Sequence, residues 1–180
     1  MRRRLACQAL VLLLLPVAAA GAAAGAMLRQ GDAFPTWELP DQRGALVTST
    51  GLAGQRYLLW FYPRAMTPGC TAEGQALRDR YAEFQAAGVA IYGVSFDAPA
   101  DNARFAAAES FPFALLSDER RALAVQVGAA DAVAQPTARR ISYLVGADGT
   151  VLEAYESVAP AAHAGEVLSD LGPPAATPAP

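Results

Sequence analysis

The chain has 180 residues, of which 53% are hydrophobic and 17% are charged, and its formal net charge at pH 7 is −3. This length suits one domain with a sizeable core, and the composition is that of a globular protein rather than a disordered one. Because the net charge is slightly negative and no run of like charges follows the N-terminus, nucleic acid is not an expected partner.

The first 26 residues differ in composition from the rest of the chain. Three arginines, Arg2 to Arg4, precede a long apolar run and a stretch of alanine and glycine with A-x-A-like cleavage points up to Ala26. We therefore expect residues 1–26 to be a removable signal peptide, which makes the protein periplasmic or otherwise exported. The alternative is an uncleaved anchor that tethers the protein to the membrane, since Leu5 to Leu28 approaches the ~20 residues that span a bilayer.

The folded part of the chain begins with a loop-rich region over residues 31–56, which contains two short extended pieces. The apolar and aromatic run Tyr57–Tyr62 then predicts a strand that is buried on both faces. A helix is predicted over residues 71–87, because apolar side chains recur at helical spacing and Gly88 follows as a stop signal. The side chains of that apolar face are Leu77, Tyr81 and Phe84.

The rest of the chain continues the alternation of strands and helices. The predicted strands cover residues 89–96, 111–117 and two runs on either side of the turn Asp148-Gly149, and the predicted helices cover residues 98–110, 118–128 and 161–171. The order β-α-β-α-β-α-ββ-α predicts one α/β domain, over residues 27–172, with helices on both faces of a central sheet. Residues 173–180 are rich in proline and alanine and are expected to form a disordered tail.

One stretch carries recognisable chemistry, and it lies between the first buried strand and the first helix. It contains Pro63, Thr67 and Cys70 in the pattern P-x-x-x-T-x-x-C. A cysteine at a helix N-terminus faces unpaired backbone N–H groups and the positive end of the helix dipole, which favour a thiolate. The other cysteine, Cys7, belongs to the predicted signal peptide, so the mature protein would hold a lone thiol in an oxidising compartment. Such thiols are unusual, which points to a functional role for Cys70.

The stretch FYPRAMTPGCT resembles the active-site motif of the peroxiredoxins, most closely the peroxiredoxin Q or bacterioferritin comigratory protein branch. YGVSFD, FALLSD and RISYLV-GADG match in the same order, and the resemblance covers about Gly31 to Leu171. It implies a thioredoxin-like fold, with a central mixed β-sheet flanked by helices on both faces. It also implies a thiol-dependent peroxidase that reduces hydrogen peroxide or organic hydroperoxides through a sulfenic acid on Cys70. No cofactor is implied, and one histidine with one mature cysteine does not make a metal site.

The same resemblance implies roles for individual residues. Three hydrogen-bond donors, the Thr67 hydroxyl, the Cys70 backbone N–H and the Arg140 guanidinium, would hold both peroxide oxygens in line with the sulfur, while negative charge moves to the leaving oxygen. Pro63 would shield the thiolate from water, and Glu73 would orient the arginine. Ionisation alone cannot be the main catalytic device, because a ~30-fold gain in thiolate at pH 7 is offset by about a tenfold loss of nucleophilicity as the thiol becomes more acidic.

The roles of the two adjacent arginines, of Glu73 and of the histidine each have an alternative explanation. Arg139 neighbours Arg140, so a shift of one residue would exchange them, and Glu73 could simply suit the helix dipole. His163 is the only histidine in the chain. We expect it to be a solvated side chain rather than a base or a ligand.

The chain departs from its branch in the second, resolving cysteine. Five residues after Cys70 stands Gln75, and the other known location corresponds to about Ala124. We therefore expect a one-cysteine mechanism, in which an external thiol reductant attacks the sulfenic acid. That reductant could be thioredoxin-like, glutaredoxin-like or a small thiol, and the protein itself is expected to be a monomer or a weak dimer.

Other functions of a reactive cysteine make different demands on the sequence. A disulfide oxidoreductase would need a C-x-x-C pair, and a copper-delivery protein would need paired cysteines with a histidine ligand; neither pattern occurs. A peroxide sensor, which passes the oxidation of Cys70 to a partner protein, remains the alternative from another functional class.

Overall fold

A computed structural model describes residues 25–171 of the chain. The predicted signal peptide up to residue 24 and the predicted tail lie outside these residues. The strands of the described chain are β1 (Glu38–Pro40), β2 (Leu46–Thr48), β3 (Arg56–Phe61), β4 (Val89–Ser95), β5 (Ala114–Ser117), β6 (Ile141–Val145) and β7 (Val151–Tyr155). Its helices are α1 (Pro68–Asp79), α2 (Tyr81–Ala86), α3 (Pro99–Glu109), α4 (Ala122–Gln126) and α5 (His163–Asp170).

Five strands form a central mixed sheet in the order β5-β4-β3-β6-β7. β3, β4 and β5 run parallel, whereas β6 and β7 are antiparallel to their neighbours. β3 lies at the centre, and its side chains alternate between two cores: Leu59 and Phe61 face one, Leu58 and Trp60 the other. Helix α4 packs on the first side, and the other four helices contribute to the second. The predicted central mixed sheet with helices on both faces is confirmed.

The helix predicted over residues 71–87 is two helices. Arg80 separates α1 from α2, with φ −107° and ψ 12°, outside the range of a regular helix. The bend allows Leu77 of α1 and Phe84 of α2 to be fully buried in the same core. The apolar spacing that predicted a single helix is therefore satisfied by two helices in succession.

Helix α1 also begins three residues earlier than predicted, at Pro68. A proline is well suited to the first helical position, since its missing N–H would have had no partner there. The early start places Cys70 in the first turn of α1 rather than just before it.

Helix α4 is shorter than the prediction of residues 118–128. Arg121 adopts a left-handed conformation, with φ 59°, so the helix cannot extend backwards through it. The carboxylate of Asp118 instead accepts hydrogen bonds from the N–H groups of Ala122, at 3.0 Å, and Ala124, at 2.8 Å. Asp118 thus caps the helix from four residues ahead of it.

The start of the described chain packs against the domain. The N–H of Gly25 donates to the carbonyl of Val125 at 2.9 Å, and the N–H of Leu28 donates to the hydroxyl of Tyr143 at 3.1 Å. Among residues 25–171, none of the helices combines the length and the apolar character needed to cross a bilayer.

Candidate active site

Cys70 is completely buried at the N-terminus of α1, in an apolar cluster that includes Tyr62. Thr67, the residue before the helix, is extended and its side chain forms no cap. The first helical hydrogen bond runs from the N–H of Thr71 to the carbonyl of Thr67, at 2.9 Å. The N–H of Cys70 precedes this bond and is not used by the helix. The sulfur therefore lies where free backbone donors and the helix dipole stabilise negative charge.

Arg140 supplies the guanidinium next to this sulfur. Its Nη2 lies 3.3 Å from the Sγ of Cys70. The antiparallel register pairs Phe61 of β3 with Ile141 of β6, so Arg140 emerges beside the end of β3, where the loop towards Cys70 begins. Arg139 has other partners: it forms an ion pair with Asp131 and donates to a backbone carbonyl. Of the two arginines that the sequence left open, Arg140 is the one at the sulfur.

Glu73 joins the same cluster. It stands three residues after Cys70, so both side chains lie on one face of α1, and its carboxylate accepts a hydrogen bond from the Nη1 of Arg140. The side chain of Glu73 is completely buried, whereas that of Arg140 is 21% exposed. Burial raises the pKa of Glu73 from its ordinary value of 4.5 to about 7, although the charge of Arg140 opposes the shift. Arg140 is thus shared by the sulfur and by a carboxyl that changes its charge near neutral pH.

Replacing Glu73 with glutamine is expected to remove a pH dependence of stability. A carboxyl whose pKa is raised on folding binds its proton more tightly in the folded state, so the free energy of unfolding falls as pH rises from about 4.5 to about 7. A shift of this size corresponds to on the order of 3 kcal/mol. Glutamine keeps an acceptor for Arg140 without the charge. In urea unfolding, Glu73→Gln should therefore gain stability relative to the wild type as pH increases from 5 to 8.

Glu83 provides the control for this experiment. It is exposed on α2 and paired with Arg80, and the hydrogen bond from Arg80 lowers its pKa. Glu83→Gln should therefore produce a small loss of stability above pH 4.5, opposite in sign to the effect of Glu73→Gln. A difference in the free energy of unfolding between Glu73→Gln and the wild type that stays constant from pH 5 to 8 would contradict a titrating carboxyl at this site.

Thr67 immediately precedes the first residue of α1, and its hydroxyl already has a hydrogen-bond partner. The hydroxyl donates its hydrogen to the carbonyl of Arg64 at 2.9 Å. In this position Oγ1 can accept a hydrogen bond from the O–H of a hydroperoxide through its remaining lone pairs. The donation predicted from the sequence would require the hydroxyl to leave Arg64.

The loop between β3 and α1 is held in an unusual conformation. Pro63 begins it and is half-buried. Met66, next to Thr67, is 58% exposed and has a left-handed backbone with φ 63°, which is uncommon for a residue with a side chain. The N–H of Ala65 donates to the carboxylate of Asp97 at 2.9 Å, which ties the loop to the end of β4. These contacts fix the approach of the chain to the first turn of α1.

The prediction for His163 is wrong. Its side chain is completely buried rather than solvated. The Nε2 lies 2.9 Å from the Oγ of Ser142, and the ring packs edge-on against Tyr155 with 5.1 Å between ring centroids. His163 is the first residue of α5, and the start of this helix turns inward, which the polarity of a lone histidine could not reveal.

Gly69 is a site residue that the sequence analysis did not single out. A Cβ at this position would lie 3.0 Å from the Nη2 of Arg140, which is closer than most real contacts of this kind, and 4.0 Å from the Cγ of Pro160. Glycine therefore leaves room for the guanidinium beside Cys70. The only signal in the sequence was the glycine of the PGC triplet.

Comparisons with known proteins agree with this arrangement. The model of the AhpC/TSA family matches residues 30–154. Peroxiredoxin Bcp of Escherichia coli is 40% identical over 147 residues, which cover 79% of this chain and 94% of the relative. The chloroplastic peroxiredoxin Q of Oryza sativa subsp. japonica is 34% identical over 143 residues, which cover 79% of this chain and 66% of the relative.

Solved structures show the same relationship. The crystal structure of peroxidoxin BcpB from Mycobacterium tuberculosis superposes with a TM-score of 0.74 at 32% identity, covering 80% of this chain and 96% of that protein. Peroxiredoxin Q from Xanthomonas campestris superposes with a TM-score of 0.69 at 32% identity, covering 75% of this chain and 89% of that protein. The chain therefore belongs to the AhpC/TSA family and is a peroxiredoxin of the Bcp and peroxiredoxin Q group, with the thioredoxin-like fold that its sequence predicts.

Proposed function

We propose that this protein is a thiol-dependent peroxidase that uses Cys70 to reduce hydrogen peroxide or organic hydroperoxides. The observation that carries the proposal is the buried Sγ of Cys70 at a helix N-terminus, 3.3 Å from a guanidinium nitrogen of Arg140. Membership of the peroxiredoxin family supports it. Organic hydroperoxides belong among the substrates to be tested, because one structural relative, the Xanthomonas campestris bacterioferritin comigratory protein, is described by its alkyl peroxide reduction activity.

The first chemical step oxidises the sulfur. The Cys70 thiolate attacks the terminal oxygen of the hydroperoxide, an S–O bond forms and the O–O bond breaks. The cysteine becomes a sulfenic acid, and the other oxygen leaves as hydroxide or alkoxide, which takes a proton from water. Arg140 and the N–H of Cys70 stabilise the charge that develops on the two oxygens, and the Oγ1 of Thr67 accepts a hydrogen bond from the attacked hydroxyl, whose hydrogen remains on the sulfenic acid. Pro63 limits the access of water to the sulfur.

The second step needs a thiol from outside the protein. Cys70 is the only cysteine among residues 25–171. At the position expected for a resolving cysteine, Gln75 donates a hydrogen bond to the carboxylate of Glu109 at 2.8 Å. An external thiol attacks the sulfenic sulfur, releases water and forms a mixed disulfide. A second thiol then reduces the mixed disulfide and restores Cys70.

The burial of Cys70 requires a local opening before that step. A completely buried sulfur is out of reach of a protein thiol, so the first turn of α1 must open once Cys70 is oxidised. The middle of α1 is held to the end of α3 by Gln75 and by Arg78, which donates to the carbonyl of Glu109 at 2.8 Å. These bonds hold the part of α1 that follows the first turn, so we expect the opening to begin in the turn that precedes them.

Turnover counting tests the proposal. With excess small thiol, we expect many equivalents of peroxide to be consumed for each Cys70. Consumption of a single equivalent would instead favour a peroxide sensor. Intact-mass spectrometry after one equivalent of peroxide, without thiol, should show one added oxygen atom on Cys70.

We also propose that the protein is exported to the periplasm or an equivalent compartment. This proposal rests on the sequence of residues 1–26, with their arginines, apolar run and small residues. The same mass spectrum tests it. A native protein that begins near Ala26 would support cleavage, and one that retains Met1 would favour a membrane anchor.

A further inference from the structure

A buried polar pair connects the start of α5 to β6, close to the active site. The Nε2 of His163 and the Oγ of Ser142 are 2.9 Å apart, and both side chains are completely buried. On the other side of the ring, Nδ1 lies 3.6 Å from the Oε2 of Glu166, which is too long for a hydrogen bond. In space, the serine, histidine and glutamate are arranged in the order of a hydrolase catalytic triad. The carboxylate of Glu166 is too far from Nδ1 to form the hydrogen bond that orients the histidine of such a triad, so the arrangement is a structural one.

The pair holds a segment that passes close to the active site. Residues 158–162 lead into α5 and turn through hydrogen bonds from Ala162 and His163 to the carbonyl of Ala159, both at 3.0 Å. Within this segment the Cγ of Pro160 would lie 4.0 Å from a Cβ placed on Gly69, and the Nη2 of Arg140 would lie 3.0 Å from the same Cβ. His163 is the polar anchor at the end of the segment, because its ring is bound in the core beneath it.

Burial favours the neutral form of the ring at this anchor. Burial lowers the pKa of His163 from its ordinary value of 6.5, and the charge of Arg140 lowers it further, while Glu166 opposes the shift. Tyr155 of β7 also packs against the ring, and its hydroxyl donates a hydrogen bond to the carboxylate of Asp170 at 3.0 Å. Arg140, whose charge acts on the ring, is itself bound to Glu73 of α1. The negative charge of Glu166 favours the neutral tautomer that carries its hydrogen on Nδ1. In this tautomer Nε2 accepts a hydrogen bond from the hydroxyl of Ser142.

We propose that His163 is a positioning residue for the peroxide site: its neutral ring, held by Ser142, keeps Pro160 close to Gly69, beside which the Arg140 guanidinium passes, and protonation of the ring at acid pH weakens this anchor. A protonated ring can bind Ser142 only by donating from Nε2, so the serine must turn its own hydrogen away, and the ring adds a buried positive charge near Arg140. The guanidinium then loses its fixed position beside the Cys70 sulfur. The inference rests on the proposed peroxidase function and deepens it.

The single histidine makes the charge state directly measurable. Because His163 is the only histidine in the chain, NMR of protein labelled in the histidine ring reports on this residue alone. We expect a neutral ring with its hydrogen on Nδ1 and a titration below pH 6.5. A ring that titrates at 6.5 or above, as an exposed histidine does, would overturn the proposal.

Kinetics provide the functional readout, through the rate constant of Cys70 oxidation as a function of pH. His163→Leu cannot bind Ser142, and we expect it to lower this rate constant by about tenfold, since small displacements of a catalytic group have effects of this order or larger. His163→Gln retains a polar group for Ser142 but never becomes charged, so it should recover most of that loss near neutral pH. The ratio of its rate constant to that of the wild type should rise as the pH is lowered. The midpoint of this rise should coincide with the pKa of His163 measured by NMR.

Val167→Ala is the matched control, because Val167 is completely buried on α5 and its side chain cannot form a hydrogen bond with Ser142. It should lower stability while its rate relative to the wild type stays constant with pH. A constant ratio for His163→Gln as well would overturn the inference while leaving the peroxidase function intact. A wild-type protein without peroxide turnover would overturn the proposed function, and with it this inference.

Discussion

Replacing Cys70 with serine is expected to reduce peroxide consumption to the uncatalysed rate. Serine has nearly the same size and fits the completely buried site. Its hydroxyl does not ionise near neutral pH and cannot form a sulfenic acid, so the first chemical step is lost. The measurement is peroxide loss in the presence of excess dithiothreitol, with thermal unfolding followed by circular dichroism to show that Cys70→Ser remains folded.

Ala72→Ser is the matched control for this variant. It introduces the same hydroxyl two residues further along α1, at a partly exposed position, and should keep the wild-type activity. Retention of peroxidase activity by folded Cys70→Ser would show that another group is oxidised, and the proposed site would have to be abandoned.

The second large effect is expected for Arg140→Met, which keeps the length of the side chain but removes its charge and its donors. Loss of one donor to a developing oxyanion commonly lowers the rate by about 10²–10³-fold, and we expect a decrease of this order in the rate constant of Cys70 oxidation. The carboxyl of Glu73 also loses its counter-charge, which raises its pKa further above about 7 and keeps it neutral. Stopped-flow measurement of the oxidation step, with peroxide in excess, gives this rate constant directly.

Two further variants sharpen the assignment. Arg140→Lys retains a positive charge but cannot bind Cys70 and Glu73 at once with two nitrogens of a planar group, so its rate constant should fall between those of the wild type and Arg140→Met. Arg139→Met removes a neighbouring arginine that pairs with Asp131, and its rate constant should stay within about twofold of the wild type, as for surface changes away from the site. The reverse order, with Arg139→Met inactive and Arg140→Met active, would contradict the geometry described above.

The chemistry of the active site was readable from the sequence because most of its parts are close together in the chain. Pro63, Thr67, Cys70 and Glu73 lie within eleven residues, between a strong strand signal and a strong helix signal. A cysteine in the first turn of a helix meets free N–H groups whatever the rest of the fold does, since those groups belong to adjacent residues. The predicted strand at residues 57–62 agrees with β3 to within one residue at each end, because a continuous apolar run can be buried on both faces only inside a sheet.

The extents of the helices were less predictable. Apolar spacing shows which side chains are buried but not where the backbone bends, so the break at Arg80 and the left-handed residue Arg121 went unnoticed. In both cases burial is satisfied by a path that departs from one regular helix. The three-dimensional course of the chain decides between such paths.

The sequence by itself determined the family, the fold class and the proposed nucleophile, since each depends on residue types in contiguous patterns. Only the tertiary structure decided which of two adjacent arginines meets the sulfur, because that depends on the register of β6 against β3 across a separation of about 80 residues. It also decided the environments of Glu73 and His163. Both are polar residues whose burial, and hence whose charge near neutral pH, is set by elements that approach from distant parts of the chain.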